Sequence, residues 1–182
     1  LEDPRAPLRR LAPETGDVRD TVTWTLRRAE ILGADGVPVF AQDDVQAPAS
    51  WTDGAVRVVA SRYFMGQPGT PEREGSVWTL ITRVTDTIAA WAEADGAVDA
   101  GADALAFRDD LRWMALHQHA AFNSPVWFNV GVQEEPQCSA CFINGVEDSM
   151  DSILELGRTE GRLFKHGSGS GANLSRLRGD GE

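Results

Sequence analysis

The sequence predicts an α/β protein, in which a helical N-terminal domain precedes the opening strand, helix and glycine-rich loop of an α/β unit. Three observations support this fold class. Apolar residues recur at helical spacing from Val77 to Trp91, the short apolar run SACFIN fits a strand, and a second helical pattern leads into HGSGSGAN. Strand, helix and loop in this order are typical of α/β proteins. We expect the chain to lack the second half of this unit.

The composition is that of a globular protein. Of the 182 residues, 42% are hydrophobic and 25% are charged, and no apolar run approaches the roughly 20 residues of a membrane-spanning helix. The N-terminal stretch has no signal-peptide pattern, so we expect a cytoplasmic protein in which a structural disulfide is unfavoured. A net charge of −11 argues against binding to nucleic acid or to an anionic membrane. The chain begins with Leu1 and stops within the pattern NLSRLRGDGE, which predicts a fragment.

The pattern along the chain predicts three regions. Residues 1–34 are predicted to form an extended arm, because about the first 20 of them are rich in Pro, Arg and acidic residues. Residues 35–120 are predicted to form the helical domain, and residues 121–182 begin the α/β unit. Within the first half, GVPVFAQ fits a short extended segment, while WTDGAVRVVASRYF fits either a strand or a helix.

Two helices dominate the predicted N-terminal domain. Thr70 followed by Pro71 is typical of an N-cap with proline at the first helical position, and Gly96 is a stop signal. The second helix is predicted from Asp103 to Ala120. Its apolar face consists of Phe107, Leu111, Met114 and Ala115.

The pattern changes after residue 120. AFNSPVWFNVGV predicts a turn and then an extended segment, and SACFIN predicts a buried strand. Asp148 and Ser149 are candidate caps of the following helix, with Asp151 in its first turn. The predicted buried face of that helix consists of Met150, Ile153, Leu154, Gly157 and Phe164.

Cys138 and Cys141 pose the central chemical question: metal ligands, a disulfide or redox chemistry. A zinc site needs four ligands, and the candidates besides the cysteines are His117, His119 and His166. His117 and His119 are expected on different faces of a helix and so cannot bind one ion together, which argues against zinc. A thioredoxin-type Cys-x-x-Cys opens a helix, whereas Cys141 enters a predicted strand. We therefore expect Cys138 to be inert and buried. Cys141, beside small residues at the start of a strand, can face a site.

The other candidate sites are ambiguous by themselves. HGSGSGAN has neither the Lys of a Walker loop nor the preceding strand of the dinucleotide fingerprint, so it fits a tight connection as well as a phosphate cradle. Ser124 in NSPVWF can shape a turn or donate a hydrogen bond to a phosphate oxygen. No acyl-transfer motif surrounds it, which argues against a nucleophile.

Taken together, these segments resemble a known family. SRYFMGQPGTPEREGSVWTLITRV, AFNSPVWFNVGV and QCSACFINGVEDSMDSILELGRTEGRLFKHGSGSGANLSRLR are similar to the N-terminal part of the adenosylcobalamin-dependent, class II ribonucleotide reductases. The resemblance covers residues 35–182. It implies that the α/β unit is the first strand, helix and loop of a ten-stranded α/β barrel that the chain leaves incomplete.

The resemblance implies roles at the substrate. Cys141 matches the cysteine of the first barrel strand, one of a pair that gives electrons to the ribonucleotide, and its partner would lie beyond residue 182. Ser124 matches a hydroxyl residue at the substrate's diphosphate end. Ala140 matches a residue lining the ribose pocket, and Ser168 and Gly169 match the backbone that packs against the sugar and base.

It also implies an allosteric site. Asp148 matches an acidic residue that holds the sugar of a deoxynucleotide effector at a dimer interface, and Arg178 matches a basic residue at the effector's phosphates. A carboxylate suits a sugar hydroxyl and a guanidinium suits a phosphate. The implied partners are a ribonucleotide, a deoxynucleotide effector, a thioredoxin-like reductant and the remainder of the reductase, as a homodimer when complete.

The implied radical cysteine, its acid and base neighbours and the adenosylcobalamin surface all lie beyond residue 182, so we expect this chain alone to be inactive. Either the chain is truncated or a second chain completes it.

Three alternatives stay open: a fragment of a class I large subunit, a non-catalytic nucleotide-binding module, and a small zinc module. FNSPVWFNVG and EGRLFKHGSGSGANLS favour the cobalamin-dependent class. The sequence leaves open whether the substrate is a diphosphate or a triphosphate.

Overall fold

The computed structural model describes residues 10–165, 167–179 and 181, so His166 and the first nine residues of the predicted arm lie outside the described residues. A short 3₁₀ helix, Val18–Thr21, precedes the first strand. The remaining elements are β1 (Trp24–Leu32), β2 (Pro38–Pro48), α1 (Asp53–Arg62), α2 (Val77–Ala94), α3 (Ala102–Leu116), α4 (Ser124–Asn129), β3 (Cys141–Gly145), α5 (Met150–Lys165) and β4 (Gly169–Asn173).

The first two strands form an antiparallel hairpin. The domain predicted to be helical therefore begins with a strand, β2, and the end of the predicted extended arm is its paired strand, β1. The ladder shifts register between Arg27 and Ala29, opposite Asp44, whose φ is +55°. Such a bulge breaks the alternation by which a strand is recognised in a sequence. The extended segment predicted at GVPVFAQ is confirmed as part of β2.

Helix α2 begins at Val77 and not at Thr70 and Pro71, so that predicted start is wrong. Ser76 is the cap, since its Oγ accepts a hydrogen bond from Trp78 N at 3.1 Å. The predicted end is confirmed, because α2 stops at Ala94 and Gly96 has a φ of +69°.

The loop before α2 is held away from a helical path by two side chains. Glu74 Oε2 accepts from Met65 N at 2.8 Å. Arg73 Nη1 donates to the carbonyl oxygens of Phe64 and Gly66, both at 2.8 Å. These contacts satisfy backbone groups that a helical turn would otherwise use, and they explain why the local start signal fails.

The N-terminal core lies between the hairpin and helices α1 to α4. Helix α1 resolves the open interpretation of WTDGAVRVVASRYF in favour of a helix that buries Val56 and Ala60. Helix α3 ends at Leu116, earlier than Ala120. The largest fully buried apolar side chains of this core are Ile81, Leu116, Val45, Val56, Val77, Val84 and Val130.

Helix α4 occupies the place of the predicted extended segment, and that prediction is wrong. Asn123 Oδ1 accepts from Val126 N at 3.3 Å and caps the helix, while Pro125 lies in its first turn. Proline is favoured there because the first N–H groups of a helix have no partner within it. The Asn-Ser-Pro sequence is thus a helix start.

Strands β3 and β4 are parallel and are joined by α5. The register runs from Cys141 opposite Gly169 to Gly145 opposite Asn173. The expectation that the glycine-rich segment is a loop without a second strand is therefore wrong, since Gly169–Asn173 is that strand. The strand predicted at SACFIN is confirmed. It is not buried as predicted, because its alternate residues Cys141, Ile143 and Gly145 are exposed.

Helix α5 exposes the apolar face that was predicted to be buried. Ser149 is confirmed as a cap, since its Oγ accepts from Ser152 N at 3.2 Å. Within the described residues no side chain of α5 is fully buried. The exposed fractions of its large apolar residues run from 40% to 69%, for Ile153, Phe164, Leu154 and Met150. No helix of the described ranges is long and apolar enough to cross a membrane.

Candidate functional site

The two faces of the β3–β4 sheet differ in what covers them. Ser170 Oγ donates to Glu160 Oε1 of α5 at 3.0 Å and accepts from Asn144 Nδ2 at 2.9 Å. Asn144 and Ser170 therefore point toward α5. Since side chains alternate along a strand, Cys141 and the paired Gly169 belong to the opposite face, which α5 does not cover.

Cys141 is an exposed, free thiol on this helix-free face. A Cβ atom placed on Gly169 would lie 3.3 Å from Cys141 Sγ. Gly171 has the same relation to Ile143, at 3.0 Å from Cδ1. The glycines of β4 thus leave room beside the side chains of β3, and Gly169 leaves it beside the sulfur.

Four predicted site residues meet where β3 and β4 begin. Gly169 N donates to Ala140 O at 2.7 Å, directly before Cys141. Ser168 is 5% exposed, and its Oγ donates to Ser139 O at 3.2 Å. Ala140, Cys141, Ser168 and Gly169 therefore lie side by side at the start of the two strands, and we call them the strand-start group.

Ser124 lies outside the strand-start group, on the N-terminal domain. It is the first residue of α4, is half-buried, and its Oγ lies 3.0 Å from the hydroxyl oxygen of Tyr63. Asn129 at the end of α4 donates from Nδ2 to Gln137 O at 2.8 Å, which ties α4 to the segment before β3. Sequence reasoning missed Tyr63, whose role depends on a contact between positions far apart in the chain.

The two predicted effector residues are brought together. Arg178 Nε lies 3.0 Å from Asp148 Oδ2 in an exposed ion pair. Asp148 thus pairs with the segment that follows β4, and the capping residue of α5 is Ser149. A second pair, Glu147 with Arg176, lies beside it. The sequence signal that would have found this second pair is the recurrence of adjacent acids at 147 and 148 and of bases at 176 and 178.

The histidines do not lie as predicted. Because α3 ends at Leu116, the rings of His117 and His119 lie on the same side, with ring centroids 4.8 and 4.9 Å from that of Trp113. His117 Nε2 also lies 2.9 Å from Thr21 Oγ1. Burial, and then the neighbouring His119, lower the pKa of His117. The described residues contain no group of three His, Cys, Asp or Glu that could hold a metal ion.

Cys138 packs against the N-terminal core and is half-buried, with Sγ 3.5 Å from Pro136 O. Both cysteines are free thiols. The two thiols therefore differ in environment, and Cys141 is the more accessible one. The inertness of Cys138 stays a prediction.

An open cavity of about 550 Å³ lies on the N-terminal domain. Its walls are mostly apolar and include Trp51, Tyr63, Phe122 and Trp127, with His119 at one side. A corrin ring, fringed by amide groups, would need many hydrogen-bond partners, and this lining offers few. This cavity therefore does not fit cobalamin, and we assign none of its residues to that cofactor.

The comparisons with known proteins cover most of the chain. Residues 25–118 match the family described as class II vitamin B12-dependent ribonucleotide reductase, and residues 139–182 match the ribonucleotide reductase barrel domain. The vitamin B12-dependent ribonucleotide reductase of Rhodopirellula baltica is 45% identical over 187 aligned residues, 87% of this chain and 18% of the relative. That of Streptomyces coelicolor is 46% identical over 160, or 87% and 16%. That of Bradyrhizobium diazoefficiens is 33% identical over 226, or 88% and 18%.

The helical domain, the strand-start group and these matches define a segment of a ribonucleotide reductase. More specifically, the chain belongs to the class II, vitamin B12-dependent ribonucleotide reductase family. The match to the class II N-terminal domain decides against the class I alternative. The chain spans 16% to 18% of the length of the relatives named above.

Proposed function

We propose that this chain forms one wall of the active site of a class II ribonucleotide reductase, which converts ribonucleotides to 2′-deoxyribonucleotides by thiyl-radical chemistry. The observation that carries the proposal is the exposure of Cys141 on the helix-free face of β3, beside the glycine that leaves its sulfur accessible. In a barrel of ten such strands, helices cover the outside and this face lines the interior.

The proposed role of Cys141 is that of a reductant. Loss of the ribose 2′-hydroxyl as water consumes two electrons and two protons, and two thiols supply them on forming one disulfide. Cys138 packs against the N-terminal core, so the partner thiol would come from a later strand outside this chain. A thioredoxin-like dithiol would then reduce the disulfide. Adenosylcobalamin, held by other parts of the enzyme, would supply the radical that starts the reaction.

The proposed substrate contacts follow from the strand-start group and from Ser124. The backbone near Ser168 and Gly169 would pack against the sugar and base, and Ala140 would line the ribose pocket. Ser124 would donate to an oxygen at the phosphate end. The support is that the first three adjoin Cys141, and that the Ser124 hydroxyl is half-buried and not enclosed.

Asp148 and Arg178 are proposed to hold a deoxynucleotide effector, the carboxylate at the sugar hydroxyl and the guanidinium at phosphate. Their 3.0 Å pairing supports a shared site. The complete enzyme is proposed to be a cytoplasmic homodimer. The same pair would also suit a non-catalytic nucleotide-binding module, which is the second candidate function.

The decisive experiment replaces each cysteine in the complete reductase that carries this segment. With adenosylcobalamin and thioredoxin supplied, Cys141→Ser is expected to abolish repeated turnover, because no disulfide can form. Cys138→Ser is the matched control and is expected to retain activity. Full thioredoxin-supported turnover by Cys141→Ser would refute the redox role and favour the nucleotide-binding module.

A further inference from the structure

We propose that Tyr63 is a positioning residue, which orients the Ser124 hydroxyl toward the phosphate end of the nucleotide. This inference rests on the proposed substrate role of Ser124. It adds a residue that comes from α1, outside the barrel and outside the strand-start group. The two hydroxyl oxygens are 3.0 Å apart.

The ring of Tyr63 is held against the helix that carries Ser124. Tyr63 is the C-cap residue of α1, and its N–H donates to Val59 O at 2.9 Å. The centroids of the Tyr63 and Phe128 rings are 5.2 Å apart, and Phe128 lies one turn after Ser124 in α4. The phenol therefore approaches α4 through both its ring and its hydroxyl.

A largely buried arginine, Arg83, contacts both backbones. Arg83 donates to Val130 O at 2.7 Å and to Trp127 O at 3.2 Å, at the end of α4. Its Nη2 also lies 3.4 Å from Tyr63 O. A buried carboxylate, Glu74, pairs with the same guanidinium at 2.8 Å. The distance between Tyr63 and Ser124 is thus set by a rigid base beneath both.

Gly131 accommodates this arginine. It has a φ of +74°, and a Cβ there would lie 2.6 Å from Arg83 Cγ. Only glycine suits both the conformation and the space. The end of α4 is therefore built around Arg83, which supports a fixed placement of the helix and of its first residue.

The chemistry explains why Ser124 would need such a partner. A serine hydroxyl has one proton and rotates freely, so a lone serine presents that proton to a phosphate oxygen only part of the time. When Tyr63 donates to Ser124 Oγ, the serine proton is free to point at an anion. A chain of hydroxyl donors ending on a phosphate also polarises each member, which strengthens the last bond.

The test measures KM and kcat of the complete reductase with CDP and with CTP, using whichever the enzyme reduces. Tyr63→Phe keeps the ring on Phe128 and removes only the hydroxyl. We expect KM to rise about fivefold, as for the loss of one hydrogen bond, with kcat unchanged. Inhibition by inorganic pyrophosphate should weaken by a similar factor, since it probes the phosphate end alone.

A double-mutant cycle with Ser124→Ala separates positioning from direct contact. If Tyr63 acts through Ser124, Tyr63→Phe has no further effect in the Ser124→Ala background. An equal rise of KM in both backgrounds would overturn the positioning role. Thr82→Val is the matched control, because it removes another half-buried hydroxyl, bonded to Trp78 O at 2.9 Å, on the neighbouring helix.

The remaining outcomes distinguish this inference from the proposed function. A rise of KM in Ser124→Ala but not in Tyr63→Phe would refute the inference and leave the substrate role of Ser124 in place. No change in Ser124→Ala would refute both, while the Cys141→Ser experiment would still test the redox role separately. Thermal unfolding of each variant chain, within about 2 °C of the parent, excludes misfolding as the cause.

Discussion

The ion pair of Glu74 and Arg83 gives the sharpest test of how α4 is held. The two side chains are 7% and 13% exposed, and their closest atoms are 2.8 Å apart. Arg83→Met keeps the length of the side chain and removes the charge. It leaves a buried carboxylate without its cation and takes a donor from the carbonyl groups of Trp127 and Val130.

The expected cost is about 3 to 5 kcal/mol of unfolding free energy, which is typical of breaking a buried pair on one side. With a urea dependence of about 2 kcal/mol per M, the unfolding midpoint should fall by about 1.5 to 2.5 M. All six tryptophans lie at or before Trp127, so tryptophan fluorescence follows the N-terminal domain alone.

Two further variants test whether the loss comes from breaking a buried ion pair. Arg28→Met breaks an exposed pair with Asp43, at a side chain that is 51% exposed, and should leave the urea midpoint nearly unchanged. Adding Glu74→Gln to Arg83→Met should restore part of the loss, because it removes the stranded charge. If Arg83→Met costs no more than Arg28→Met, the buried pair does not anchor α4 and the argument for a rigid base under Ser124 fails.

Three other predictions concern the thiols and a histidine. Iodoacetamide should label Cys141 faster than Cys138, measured by mass spectrometry, because only Cys141 is exposed; equal rates would contradict its placement. Gly169→Ala should slow that labelling severalfold, since its Cβ would lie 3.3 Å from the sulfur, whereas Gly171→Ala should not. Burial and a neighbouring histidine lower the pKa of His117, so the unfolded chain binds a proton first as the pH falls. The contribution of neutral His117 to stability should be complete above about pH 6.5 and should decrease as the pH falls below that value. His117→Gln should therefore reduce the dependence of the urea midpoint on pH. An unchanged dependence would refute this prediction.

The elements that the sequence predicted correctly have strong local signals. The apolar stripe from Val77 to Trp91 is regular over several turns and gives α2, and SACFIN gives β3. Ser149 precedes a helical pattern and caps α5. In each case the periodicity or the capping residue lies within the element itself.

The failures have non-local causes. Strand β1 and its pairing with β2 were not predicted, because the bulge near Asp44 interrupts alternation. Strand β4 was missed because glycine and serine have no apolar pattern, although they suit a strand that must leave room for Cys141. The apolar face of α5 was interpreted as core, but within the described ranges nothing covers it. The Tyr63 to Ser124 contact joins two helices that no local pattern relates.

Both outer edges of the β3–β4 pair have practical consequences for handling the protein. Within the described ranges each of these strands has one neighbour, so a row of backbone N–H and C=O groups faces outward on either side. An unpaired strand edge readily forms backbone hydrogen bonds with an extended segment of another chain. Parallel sheets are also normally covered on both faces, whereas α5 covers only one face of this sheet. Produced by itself, the polypeptide should precipitate at concentrations needed for calorimetry or crystallisation. Co-expression with the rest of the enzyme, or a lysine placed on each free edge, would be the way to keep it in solution.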